Sequence, residues 1–435
     1  MYIQKLMLQN FKCFDKIELE FHPELTILVG ANGSGKTSII EGAAIAISTM
    51  FAKMDGCSGR SIDKNQAHLK SFSAGSIKDV QPQYPVLVKA SAVTRKESIT
   101  WARSLNKPTG NTTIVDAKKM VDLGVSFQEH LRKGDTELVL PIIAYYGTGR
   151  LWDYHREKQS DVFETDNRMN GYIDCVDGTA NIKLMMNWFS KMTVRKYQNQ
   201  ELGLGNIPEL EAVYSAMESC YKRITGSNDV KMQYNIGTRE LEAAYRDNSG
   251  EWMRISINQL SDGYKSTISL VADIAYRMAV LNPQLLGNVC EETDGIILID
   301  EIDLHLHPTW QQRILQDLRY IFPKVQFIVS THAPAVVSTA KSENVIILDN
   351  GEVYEPSGEV HGKDTNTIIS GIMGASERPV EIKALFKEFY HYIDEGNADE
   401  AERVLKDVKN KIGEDDAEIA SCNVKLKLLK IRSGK

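Results

Sequence analysis

The chain has no cysteines paired at metal-ligand spacing. Its six, Cys13, Cys57, Cys175, Cys220, Cys290 and Cys422, are scattered over 435 residues with no C-x-x-C. That excludes a zinc ribbon or a disulfide framework and suits reduced thiols of a cytoplasmic protein. Long hydrophobic runs are missing too. The longest, residues 138–146, is far too short to cross a bilayer, and residues 1–9 read as a strand rather than a signal sequence. The expectation is a cytoplasmic chain with no membrane partner. Positive charge is not in excess: at a net charge of -7 the whole chain repels a nucleic-acid backbone. This excludes a coating or nucleoid-type protein and leaves any DNA contact to a local patch. No sustained a/d heptad pattern is present, which excludes long coiled-coil arms. The remaining composition, 42% hydrophobic and 25% charged, is that of a globular protein with room for two or three compact units.

What is present begins at Gly30-Ala31-Asn32-Gly33-Ser34-Gly35-Lys36-Thr37, which fits the phosphate-loop pattern G-x-x-x-x-G-K-[ST] at every fixed position. An apolar run of strand type precedes it, and residues 38–47 are apolar at helical spacing. Glycine torsions let consecutive amide N–H groups turn inward around a β-phosphate, and the helix aims its positive end at the same point. Asn32, Gly33, Ser34, Gly35, Lys36, Thr37 and Ser38 are therefore the candidate nucleotide-binding residues. Lys36 would carry charge to the β and γ phosphates and Thr37 would ligate Mg²⁺. Lys12, in a turn between two strands, can lie over the nucleotide or be an ordinary solvated lysine.

Residues 54–84 are polar and weakly periodic and read as a loop or insertion. A strand pair over 86–94 and 98–104 and a helix over 115–131 follow. Residues 138–146 are apolar enough for a buried central strand. They run into Gly147-Thr148-Gly149-Arg150-Leu151-Trp152, which can present a hydroxyl and an arginine at the mouth of a sheet or be a plain turn. Residues 153–225 read as a helical insertion, with helical patterns over 183–197 and 208–224, and short strands are expected over 230–235, 240–245 and 252–257. Leu260-Ser261-Asp262-Gly263 opens a helix, with Ser261 and Asp262 as N-cap signals.

An apolar strand over 296–299 ends in Asp300-Glu301, and another over 325–329 ends in Ser330-Thr331-His332. A buried parallel strand has no reason to end in adjacent acids unless they serve its carboxyl edge. Asp300 is the candidate holder of Mg²⁺, Glu301 the general base that polarises water, and His332 a sensor of the γ-phosphate or a structural histidine. Asp303, His305 and His307 admit a weaker metal reading. A hairpin begins at 345–348, and three helical faces follow Gly374. The expected fold class is α/β with a mainly parallel central sheet. Its expected divisions are residues 1–152, 153–257, 258–374 and 375–435.

The phosphate loop, Leu260-Ser261-Asp262-Gly263, Asp300-Glu301 and Ser330-Thr331-His332, in that order, resemble the ATP-binding-cassette (ABC-type) P-loop ATPase head of SMC and RecF proteins. The resemblance implies ATP and Mg²⁺ as ligands, and two subunits closing head to tail around two nucleotides. In that arrangement Ser261 and Gly263 act in trans, with the helix of Lys265 aimed at the γ-phosphate. Asp262 departs from the usual Leu-Ser-Gly-Gly, and a carboxylate so near a phosphate is unfavourable unless it turns away as a helix cap. Residues 300–308, with 145–152 and the helical tail, are similar to PtuA-type ATPases of Septu antiphage systems and their retron-linked relatives. There the 303–307 stretch is the D-loop at the dimer interface. That resemblance implies a switch subunit with slow or regulatory ATP hydrolysis that controls a separate small HNH-type nuclease and reaches DNA through the complex. The chain carries no such nuclease set of its own. The alternative is a RecF- or SMC-like repair or recombination ATPase acting directly on DNA. A membrane-transporter subunit is disfavoured by the missing signature glycine and by the polar loop over 282–295.

Overall fold

The computed structural model describes residues 1–432 apart from 75–76, 96, 152–166, 179–180, 228 and 247–249. Trp152, the opening of the expected insertion and Lys435 lie outside the described residues, as does the Arg150 side chain. The chain divides into two compact units, residues 1–368 and 369–435.

In chain order the first unit begins with β1 (Tyr2–Phe11), β2 (Phe14–Glu20), β3 (Leu25–Gly30) and α1 (Lys36–Ile47). Then come β4 (Leu69–Ala74), β5 (Ile77–Pro82), β6 (Val86–Val93), β7 (Ser98–Leu105), α2 (Lys118–Arg132) and β8 (Ile142–Tyr146). The helical stretch α3 (Ile182–Glu201) and α4 (Pro208–Thr225) leads to β9 (Val230–Asn235), β10 (Glu240–Arg246) and β11 (Trp252–Ser256). After α5 (Asp262–Leu281) and α6 (Val289–Glu292) the chain returns through β12 (Gly295–Ile299), α7 (Pro308–Gln311), α8 (Ile314–Ile321), β13 (Val325–Ser330) and α9 (Pro334–Val337). The hairpin β14 (Val345–Asp349) and β15 (Glu352–Tyr354) and helix α10 (Thr365–Gly371) follow.

Among the described residues the main sheet has the order β15-β14-β3-β13-β12-β8, and every pairing is parallel except β14 with β15. Its inner strands read as near-continuous apolar runs because both faces are covered. An antiparallel sheet, β2-β1-β6-β7, lies against it. The two are stitched by Gln326 of β13, whose amide accepts from Ile3 N and donates to the carbonyls of Ile3 and His22 at 2.8–2.9 Å. Helix α1 is buried nearly all round, which its Ile39-Ile40 and Ala43 to Ile47 composition suits. A small antiparallel sheet, β11-β10-β9, accompanies α4.

Three expectations change. Residues 54–84 are no mere loop, because β4 and β5 form a two-stranded hairpin there. Exposed residues on both of its faces left no alternating apolar pattern to read. Strand β8 is the edge of the main sheet rather than its centre. It is buried all the same, because Tyr145 N donates to Cys175 O at 2.7 Å and Gly178 bridges Tyr146 on the outer side. The supposed polar loop 282–295 holds a short 3-10 helix, Pro283–Asn288, and α6.

The second unit packs α11 (Val380–Asp394), α12 (Ala398–Ile412) and α13 (Ala417–Arg432) around Phe386, Phe389, Ala401, Leu405, Val408 and Cys422. Arg378 closes its start with a two-pronged pair to Asp416 at 2.8 and 2.9 Å. No helix among the described residues is long and apolar enough to cross a membrane.

Candidate nucleotide site

Parallel strands carry their functional residues at their carboxyl ends, and β3, β12 and β13 run side by side and in the same direction. Their ends bring together what the sequence holds far apart. A cavity of about 340 Å³ there is lined by Lys12, Cys13, Asn32, Gly33, Gly35, Lys36, Thr37, Ser38, Asp300, Glu301 and His332.

The loop is shaped by steric demand. Gly35 sits at φ 100, and a Cβ there would meet Phe14 Cζ at 2.2 Å and Cys13 Sγ at 2.8 Å. Only glycine holds that turn. Gly33, at φ 82, opens on space with nothing within 4 Å of a Cβ. Lys36 Nζ donates to the carbonyls of Gly30 and Ala31 at 2.8 and 3.0 Å, so the ammonium is folded back on its own loop. Burial lowers its pKa, and the nearby Asp300, Glu301 and Asp303 oppose that shift.

The acids are held from two sides. Thr37 Oγ1 donates to Asp300 Oδ2 at 2.8 Å, and Ser330 Oγ donates to Asp300 Oδ1 at 2.5 Å. The same Ser330 oxygen accepts from Glu301 N at 2.8 Å, while Glu301 adopts φ 48, in the left-handed region. Asp303 then accepts from Thr331 Oγ1 at 2.5 Å and His332 N at 3.3 Å, tying the end of β13 to the turn after Glu301.

The residues fit a phosphate with a divalent cation. The Ser34 hydroxyl is buried with no hydrogen-bond partner, the Gly33 flank is open, and Thr37 and Asp300 already meet as hydroxyl and carboxylate. Thr37 and Asp300 can hold the cation, the loop N–H groups and Lys36 the phosphates. Among the described residues no cluster of three or more His, Cys, Asp or Glu side chains is arranged to hold a metal by itself, and His307 instead caps α7 by accepting from Thr309 N.

Lys12 lines the cavity, but its ammonium is paired with Glu41. Its backbone, at φ 51, is pinned by Gln66 and His68 at the base of the β4–β5 hairpin. Ser261 and Gly263 are not brought to this cavity. Ser261 occupies the N-cap position of α5 without a side-chain cap bond, and Asp262 is the first helical residue and exposed, so neither acts as the expected cap. Gly263 is buried where a Cβ would meet His305 O at 2.7 Å, so the signature helix packs closely on the turn that follows Glu301.

Sequence reasoning missed Cys13 as a wall of the cavity, Glu41 as the partner of Lys12, and Ser330 and Asp303 as its fasteners. It also missed a buried network behind the site. Tyr146 OH donates to Asp273 Oδ2 at 2.7 Å, Arg277 Nε donates to the same oxygen at 2.8 Å, and Arg277 Nη1 reaches the carbonyls of Gly171 and Ile173. Asp300 N donates to Tyr146 O at 2.8 Å, which joins this network to the acidic strand end. An acid and a base at i, i+4 inside the apolar stretch of α5 was the available signal.

A family model described as AAA domain matches residues 5–225, and one described as AAA domain, putative AbiEii toxin, Type IV TA system matches residues 227–338. The chain is 26% identical to the Retron Vc95 probable ATPase of Vibrio cholerae serotype O1 biovar El Tor, over 91% of this chain and 84% of that protein. It is 26% identical to the Septu protein PtuA of Bacillus thuringiensis, over 91% of this chain and 90% of that one. A solved SMC head bound to the C-winged helix domain of ScpA covers 83% of this chain and 99% of its own, at 16% identity and a TM-score of 0.48. With the first model spanning half of its residues and the phosphate loop inside that span, the chain belongs to the AAA-domain family.

Proposed function

We propose that this chain is the ATP-hydrolysing switch subunit of a bacterial antiphage defence complex, closing head to tail on a second copy around ATP and controlling a partner nuclease of HNH type. The observation that carries the ATPase reading is the chain of contacts Thr37–Asp300–Ser330–Glu301 along one cavity wall. Likeness to a Septu protein and to a retron probable ATPase supports the defence setting. The exposure of Ser261 away from its own cavity supports a role in trans.

Bound Mg²⁺ would offset charge on the β and γ oxygens. Lys36 would leave the Gly30 and Ala31 carbonyls for those oxygens, and the loop N–H groups would cradle the β-phosphate. Asp300, held by Thr37 at one oxygen and Ser330 at the other, would orient the cation's ligands. Glu301 would take the proton from the attacking water, with its backbone already turned by Ser330, and His332 would stand by the γ-phosphate. Pinning of His332 N by Asp303 ties that histidine to the turn leading toward the signature helix.

The test is Glu301→Gln with its neighbouring gene products. The variant should bind ATP, hydrolyse it at least about 100-fold more slowly and accumulate dimers in size-exclusion chromatography with light scattering. Wild-type turnover would move the base elsewhere. Tagged wild-type chain should co-purify a stoichiometric small nuclease. Recovery of the chain alone, with strongly salt-dependent DNA binding, would favour the repair or recombination reading instead.

A further inference from the structure

The last helix, α13, has two apolar faces. Ile419, Cys422 and Leu426 pack in the core of the tail unit with Phe389 and Val408. On the opposite side Val424, Leu428 and Ile431 are 60%, 52% and 66% exposed, and exposed Ala417 and Ala420 continue the same line toward the helix start. At about 100° per residue these five fall within about 80° of arc. A helix that is apolar on both sides is normally covered on both sides.

The stripe is graded in size and in charge. Its first half is alanine and its second half branched. The helix is entered through exposed Glu414 and Asp415, with Asp416 and Glu418 held by Arg378. Its second half carries Lys425, Lys427 and Lys430. Lys425 lies over the Tyr390 ring and Lys430 pairs with Glu402, while Lys427 meets no carboxylate among the described residues.

We propose that this stripe docks antiparallel on the same stripe of a second copy of this chain. The register that lays Val424 on Val424 sets Ile431 over Ala417 and Leu428 over Ala420, large against small, in both halves at once. It also brings the lysine half of each helix to the acidic start of the other. A parallel pairing would crowd branched residues on branched residues, leave alanine facing alanine, and oppose like charges. The helix is 16 residues, or about 24 Å, long. Its stripe buries well under the ~800 Å² per partner of a stable pair, so the association is weak and concentration-dependent. It needs no nucleotide and does not rest on the ATPase reading.

The experiment uses the full chain without nucleotide and with EDTA, by sedimentation velocity up to about 100 µM, where so small an interface pairs. Association is expected, and Leu428→Asp should raise its dissociation constant at least about tenfold while circular dichroism stays unchanged. Under mild oxidation Val424→Cys should form an intermolecular disulfide, and Ile431→Cys should not. No self-association, or association that Leu428→Asp leaves as it was, overturns the proposal. So does Ile431→Cys linking as fast as Val424→Cys, which means a parallel pair. A melting temperature lowered by Leu428→Asp with no self-association also overturns it, because the stripe is then covered within the chain.

Discussion

Lys36 is only 6% exposed, and its ammonium is held by two carbonyls of its own loop. Lys36→Ala should therefore remove nucleotide binding while leaving the fold intact, read as at least a tenfold loss of affinity for a fluorescent ATP analogue. Unchanged affinity would end the phosphate-loop reading. Thiols give a second test at this scale. Cys13 is exposed in the cavity, whereas the Cys57 thiol is pushed up to about 11 by burial and by Asp55. Iodoacetamide should thus label Cys13 quickly at pH 8, and ATP with Mg²⁺ should slow that labelling several-fold. The raised folded pKa of Cys57 favours the neutral thiol, so its contribution to stability is complete below the ordinary value of 9.0 and is lost as pH climbs through about 11. Denaturation midpoints measured from pH 8 to 11 should fall less steeply in Cys57→Ser than in the wild type.

At the scale of elements, α5 is fastened to β8 and to the segment around Gly171 by Asp273 and Arg277, 1% and 2% exposed. Asp273 Oδ1 has no partner, so the pair is already short of one hydrogen bond. Asp273→Asn should leave the buried guanidinium uncompensated and cost about 3–5 kcal/mol in urea unfolding. Asp273→Leu with Arg277→Met should recover much of that, since an apolar pair of similar volume carries no desolvation penalty. Loss of ATPase activity at preserved ATP affinity in Asp273→Asn would further show that the network sets the strand end carrying Asp300. The β4–β5 hairpin teaches the opposite lesson. Its Leu69, Phe72, Ile77 and Val80 are all exposed, so no buried face marked it as strand in the sequence, and cross-strand pairing alone defines it.

At the scale of the whole chain, the tail is a unit with its own core. Phe389 is fully buried at its centre, and Phe389→Ala should destabilise that unit by about 3–5 kcal/mol. A separate low-temperature transition in helical circular dichroism, with ATP binding unchanged, is the expected result; loss of both together would mean the units unfold as one. The phosphate loop, the acidic strand end and the three tail helices were legible in the order of residues. Each of these is local: a spacing of glycines, an apolar run ending in Asp300-Glu301, an apolar repeat at helical period. The folded chain was needed to see that Thr37 meets Asp300 across 263 positions, that Ser330 fastens both acids, and that β8 closes the edge of the sheet. Those contacts depend on the parallel order of β3, β13, β12 and β8, which pairs strands far apart in the chain against the entropy of closing the long loops between them and which no local pattern encodes.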